Sequence, residues 1–180
     1  EGIGYIIIGN CTNVIVKDAG IDGVVIRTNR NRGIVRDGNL IYSPCGQSIS
    51  SLCAFAAESG LSGIEGLCSI PGTVGGGAAM NCGAFGRELC DVVEYADILT
   101  DGSIERFGAD ELDFSYRSSS VRDKGALVGL GLRLVYGDGF DIARDMKGYK
   151  LARQASQPQG ASLGRVFKKA DGISAGSDID

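Results

Sequence analysis

An α+β fold is expected for this chain of 180 residues, on three observations. Short β-prone runs punctuated by glycine-containing turns occupy much of the sequence. Two stretches, 48–59 and 140–153, change to a helical period. Between them residues 60–88, GLSGIEGLCSIPGTVGGGAAMNCGAFGRE, are rich in glycine and almost free of charge.

Taken in order, Gly4 to Ile8 is an isoleucine-rich run that reads as a buried strand, and Val14-Ile15-Val16 reads as a second. Between them, Gly9-Asn10-Cys11-Thr12-Asn13 is either an ordinary turn or a place where backbone N–H groups and small polar side chains form a concave anion site. Asp22-Gly23-Val24-Val25-Ile26 is a further turn and strand. The runs 33–36 and 40–42, joined by Asp37-Gly38-Asn39, give a hairpin signal. Ile49, Leu52, Cys53 and Ala56 then fall at i, i+3, i+4 and i+7, one apolar face of a helix that Ser48 can cap and Gly60 can end.

Past the glycine-rich segment, 91–99 reads as a strand, Thr100-Asp101-Gly102-Ser103 as a turn, and 104–107 as the returning strand. Asp110, Glu111 and Asp113 read as a solvated helix start. Paired acids for glycoside chemistry need opposed positions that sequence neighbours do not supply. Val128, Leu130, Leu132 and Leu134 alternate as a half-buried strand, and Ile142, Met146 and Tyr149 recur at helical spacing despite Gly148.

Composition excludes several classes of function. A net charge of −4 with scattered basic residues argues against nucleic acid or an anionic membrane as partner. No apolar run reaches the roughly 20 residues of a membrane helix. Histidine is absent, which removes Ser-His and Cys-His nucleophile pairs and the H-E-x-x-H metal helix. Cys11, Cys45, Cys53, Cys68, Cys82 and Cys90 contain no C-x-x-C pair and read as reduced core thiols of a cytoplasmic chain, with no metal site. The glycines of 60–88 fit two readings: a tight buried turn, or backbone brought close to a ligand such as a flat aromatic cofactor with a diphosphate tail.

The string IEGLCSIPGTVGGGAAMNCGAFG resembles the flavin-binding signature of the UDP-N-acetylenolpyruvoylglucosamine reductase (UDP-N-acetylmuramate dehydrogenase) family, roughly G-[LI]-E-x-x-x-x-I-P-G-T-V-G-G-x-x-x-M-N-x-G-A-[YF]-G. The match runs through Ile64, Glu65, Ile70, Pro71, Gly72, Thr73, Val74, Gly75, Gly76, Met80, Asn81, Gly83, Ala84, Phe85 and Gly86. The resemblance implies an FAD-binding fold of two α+β subdomains, 1–60 and 61–136, followed at 137–180 by the beginning of a substrate-binding α+β domain. It implies that FAD is held by Gly9, Asn10, Cys11, Thr12 and Asn13, where the family reads G-x-G-S-N. Ser69, Ile70, Gly72, Thr73, Gly75, Gly76, Asn81, Gly83 and Ala84 complete the implied set. NADPH is the implied hydride donor, a UDP-sugar the substrate, and a cytoplasmic monomer the expected form.

Phe114-Ser115-Tyr116-Arg117 is similar to the family's F-G-Y-R, in which the arginine binds substrate and stabilises the enol intermediate. A planar guanidinium suits a carboxylate; four residues alone favour a surface arginine beside a packed tyrosine, and the 60–88 stretch upstream, at the family's order and spacing, turns the reading to function. Near the end, Arg153, Gln157, Pro158, Ser162, Gly164, Phe167, Lys168, Gly172, Ala175 and Gly176 fall in the family's register, but Arg165 stands where the family has its proton-donating serine. An arginine with a pKa above about 12 is no substitute for a hydroxyl relay at neutral pH. The sequence as given also stops before the family's C-terminal glutamate and is expected to be part of something longer. A flavin- or nucleotide-binding module without reductase activity is the competing expectation.

Overall fold

The computed structural model describes residues 3–157. The first strand, β1 (Tyr5–Ile8), pairs in parallel with β2 (Val24–Arg27) to form a two-stranded sheet, Ile8 lying opposite Arg27. A parallel pair needs a crossover connection, and residues 9–23 supply it. Val14 to Val16 are therefore connecting chain, exposed and not a strand, contrary to the reading from sequence. The apolar run of β1 is a strand as expected, but Tyr5 and Ile6 are exposed, as are Val24, Val25 and Ile26 opposite them. Two strands alone present more apolar surface than their neighbours cover.

The second sheet carries the core. Strands β3 (Val35–Asp37) and β4 (Leu40–Pro44) form the expected hairpin, with Gly38 at φ 58° in its two-residue turn. Next comes α1 (Ile49–Glu58), which Ser48 caps by accepting the Ser51 amide at 3.1 Å and which Gly60, at φ 65°, follows. Its buried residues are the four forecast by spacing: Ile49, Leu52, Cys53 and Ala56. The glycine-rich segment holds the short strand β5 (Leu61–Ser62), a 3-10 turn at Glu65–Leu67, the helix α2 (Val74–Ala79), and the small hairpin β6 (Gly83–Ala84) and β7 (Arg87–Glu88).

The long strands β8 (Val93–Thr100) and β9 (Ser103–Gly108) turn through Asp101 and Gly102, both at positive φ. The acids at 110 and 111 lie in a 3-10 turn, Ala109–Glu111, where Glu111 accepts the Gly108 amide at 2.7 Å. A short helix, α3 (Val121–Lys124), leads into β10 (Ala126–Arg133), then β11 (Val135–Tyr136) and α4 (Gly139–Ser156). Asp138 caps α4 by accepting the amides of Phe140 and Asp141.

The order β3-β4-β10-β8-β9 makes a five-stranded antiparallel sheet. One face, built from Ile41, Ala96, Ile98, Leu130 and Leu132, packs against α2 and α3 and joins the buried face of α1 in one core cluster. Across the other face lie Tyr42 and Tyr95, which need Gly129 and Gly131 of β10 beneath them: a Cβ at either glycine would run into the tyrosine ring. Arg106 covers the Tyr95 ring at 3.6 Å and pairs in a bidentate fashion with Asp97 at 2.8 and 3.0 Å. Strands β3 and β4 precede the division expected near residue 60, yet they hydrogen-bond into the sheet of β8 to β10. Helix α4 likewise buries Ile142 and Met146 in this core. Among the described residues no helix is long and apolar enough to cross a membrane, and no cluster of potential metal ligands occurs.

Candidate functional site

The loop after β1 and the segment before α2, joined by a contact between residues 59 apart in sequence, meet in space. The Thr12 hydroxyl donates to the Pro71 carbonyl at 3.2 Å. Gly9 lies so close to the Thr73 side chain that any Cβ there would overlap the Thr73 hydroxyl, and a Cβ on Gly72 would come within 3.0 Å of the Thr12 hydroxyl. The approach therefore needs glycine on both sides. The other end of the loop is anchored to β2 by the Thr28 amide, which donates to the Ile8 carbonyl at 3.0 Å. Cys11 takes up φ 57°, the left-handed conformation a glycine would adopt freely, while Asn10 and Asn13 are exposed.

Thr73 caps α2 by accepting the Gly76 amide at 3.3 Å. The Val74 and Gly75 amides donate to the carbonyls of Gln47 and Cys45, each at 2.8 Å, so the start of α2 is riveted to the turn between β4 and α1. Gly75 also packs against Cys45, where a Cβ would meet the cysteine Cβ at 3.0 Å. The amides of these two glycines are thus engaged within the protein. Ile70 is part-buried, and Gly72 sits at φ 129°. Among the described residues the Ser69 hydroxyl is a buried side-chain oxygen with no hydrogen-bond partner, a group that a ligand would satisfy.

Further along, Asn81 is completely buried at φ 37°. Its amide nitrogen donates to Glu88 Oε2 at 2.8 Å and to the Ser115 carbonyl at 3.2 Å, and its oxygen accepts the Cys90 amide at 3.1 Å. The Asn81 side chain is accordingly spent on the protein itself. Gly83 and Ala84 form β6, and Phe85 and Gly86, at φ 54° and 75°, make the turn back into β7. Arg117, also left-handed at φ 57°, donates to the Gly83 carbonyl at 3.3 Å, and its guanidinium lies 5.6 Å from the Tyr116 ring. The turn bearing Tyr116 and Arg117 is thereby held beside the Gly83–Gly86 hairpin. Burial pushes the Cys82 thiol up to about 12 despite the opposing pull of the Arg117 charge.

Arg165 lies outside the described residues, as does Ser162. Sequence reading overlooked Glu88 and Ser119 and the part played by the Ser115 carbonyl, which together join the 78–83 segment to the 115–119 turn. A glutamate seven residues after a buried asparagine has no recognisable spacing signal. An indentation of about 430 Å³, lined by Ile34, Gln47, Ser51, Ala54, Phe55 and Glu58, involves none of these residues.

A paired-loop cradle beside a parallel strand pair defines a class: the chain belongs to the FAD binding domain family, whose model matches residues 1–108. FAD is accordingly its cofactor, and the glycine-lined contact and the unpartnered Ser69 hydroxyl fit such a ligand. Within that class it is similar to UDP-N-acetylenolpyruvoylglucosamine reductases. It is 39% identical over 97% of its length to UDP-N-acetylenolpyruvoylglucosamine reductase of Thermosipho melanesiensis and 40% identical over its whole length to that of Caldicellulosiruptor saccharolyticus. The crystal structure of UDP-N-acetylenolpyruvylglucosamine reductase from Thermus caldophilus superposes with a TM-score of 0.88 at 33% identity, covering 98% of this chain and 65% of that one. The chain spans 61% and 60% of the lengths of the two relatives.

Proposed function

We propose that the chain is the FAD-holding part, with the opening of the substrate part, of an enzyme that reduces the enolpyruvyl group of UDP-N-acetylglucosamine enolpyruvate to give UDP-N-acetylmuramate. The observation that carries this reading is the contact between the Gly9–Asn13 loop and the Pro71–Thr73 segment through Thr12. When bound, FAD would supply the redox chemistry between NADPH as hydride donor and the enolpyruvyl double bond as acceptor. The chain's own residues bind and orient. Gly9 to Asn13, Ser69, Ile70, Gly72 and Thr73 would hold the cofactor. Gly75 would act by letting α2 pack closely on Cys45, Gly76 through its amide, which the Thr73 cap accepts, and Gly83 and Ala84 by forming the hairpin against which Arg117 rests.

Arg117, with Tyr116 beside it, would take the substrate carboxylate and counter the negative charge that builds on it as the double bond is reduced. The guanidinium already spends one N–H on the Gly83 carbonyl, which leaves the rest of its donor fork for the ligand. Residues 1–136 would form the FAD-binding part and 137–180 begin the substrate part.

A second reading, an FAD-holding module without turnover, is favoured by Arg165 at the family's serine position. Anaerobic titration separates the two. Bleaching of the flavin by NADPH followed by reoxidation on adding the enolpyruvyl UDP-sugar supports the reductase. Bleaching without substrate-dependent reoxidation supports the second reading, and turnover gained by Arg165→Ser would locate the loss. A protein that takes up no flavin overturns both.

A further inference from the structure

We propose that Glu88, acting through Asn81, is a positioning residue that fixes the turn carrying Tyr116 and Arg117. The proposal rests on the reading that Arg117 meets the substrate. The turn closes on itself through two backbone bonds, Ser115 N–H to the Ser118 carbonyl at 3.0 Å and Ser118 N–H to the Ser115 carbonyl at 3.1 Å. It is then tied to the 78–83 segment at three points. Asn81 donates to the Ser115 carbonyl, Arg117 donates to the Gly83 carbonyl, and the Ser119 hydroxyl donates to the Ala78 carbonyl at 2.8 Å.

Of these ties, the one from Asn81 depends on which way its amide faces. An asparagine amide can turn over, exchanging donor for acceptor. Here a donor, the Cys90 amide, stands on one side at 3.1 Å, and a carboxylate that only accepts, Glu88, stands on another at 2.8 Å. Together they leave a single orientation, with the second N–H of Asn81 aimed at Ser115. Asn81 is fully buried, so water cannot take over the role of Glu88. Glu88 is set in turn by its place opposite Gly83 in the β6–β7 hairpin, and its own amide donates to Asp91 at 2.9 Å. Arg117, held at φ 57°, is strained backbone that persists only while its surroundings fix it.

The test uses the full-length protein and two kinds of measurement on Glu88→Ala, Glu88→Gln and Asn81→Asp. Amide hydrogen exchange is expected to show protection at Ser118 falling about tenfold in Glu88→Ala and Asn81→Asp. Leu52 in α1 should be unchanged, and Glu88→Gln, whose amide oxygen can still accept from Asn81, should stay near the parent. In steady-state kinetics Glu88→Ala should raise KM for the UDP-sugar about tenfold at full flavin content and add nothing on top of Arg117→Ala. Unchanged Ser118 protection in Glu88→Ala, failure of Glu88→Gln to rescue, or effects of Glu88→Ala and Arg117→Ala that multiply would each overturn the proposal. If the parent binds no flavin, the reading of function falls by itself, and the exchange at Ser118 still decides the role of Glu88.

Discussion

Cys11 holds a left-handed backbone at φ 57°, a conformation that costs an L-residue roughly 1–2 kcal/mol. Its side chain is exposed, contrary to the core position expected from sequence, because it lies in the loop after β1 and not in an apolar element, so nothing packed is lost on removing it. Cys11→Gly is therefore expected to raise stability by about 0.5–1 kcal/mol after the extra unfolded-state entropy of glycine is deducted, read as a shift in the urea midpoint. The opposite holds two positions earlier. A methyl group at Gly9 would collide with Thr73. Gly9→Ala is expected to push the two loops apart and lower flavin content more than tenfold while leaving the helical circular dichroism signal unchanged. The first experiment tests backbone strain, the second the glycine-only contact.

Where local chemistry decides an element, the sequence was a sufficient guide. The spacing of Ile49, Leu52, Cys53 and Ala56 named the buried face of α1, and Ser48 named its cap. Ser48→Ala should cost about 1 kcal/mol, measurable by thermal unfolding. Where a distant partner decides, the sequence was silent. Val14 to Val16 has the composition of a strand, but the parallel pairing of β1 with β2 uses that stretch as a connection. Periodicity in β1 reports which side chains favour burial, not whether another layer is there to cover them. The strands of the larger sheet show both effects. Alternating leucines located β10, whereas the reason for Gly129 and Gly131 emerges only when Tyr42 and Tyr95 lie across them from neighbouring strands. Gly131→Ala must displace the Tyr95 ring from beneath Arg106, and should cost about 1–3 kcal/mol in a denaturation experiment. The glycine motif around residue 72 was legible as a place of close approach. The tie between Asn81 and Ser115 was not, because it spans 34 residues and rests on the direction of one amide.

At the scale of the molecule, an apolar core among the described residues gathers α1, α2, α4 and the antiparallel sheet, and it contains several thiols. Burial holds the Cys53 and Cys68 thiols above the ordinary thiol range and pushes Cys82 up to about 12. Each folded value lies above the unfolded thiol value of about 8.5, so the folded state keeps its proton longer than the unfolded one. The resulting stabilisation is complete below pH 8.5 and declines as pH rises up to and through each folded value, about 12 for Cys82, the loss being up to about 1.4 kcal/mol per pH unit while that thiol stays protonated. Denaturation midpoints should accordingly be insensitive to these thiols at neutral pH and fall steeply in alkali. Cys82→Ser should flatten part of that fall, and exposed Cys11 should be the first thiol to react with a labelling reagent.

Phe85, in the turn of the glycine hairpin, stacks on Tyr149 of α4 with ring centroids 4.6 Å apart and planes inclined by 28°. Each ring lies in the magnetic shadow of the other, so the aromatic protons of Tyr149 should resonate upfield of their free position for as long as the helix stays seated. That displacement, abolished in Phe85→Leu, turns an incidental contact into an internal gauge of whether the helix leaves its berth when a ligand arrives.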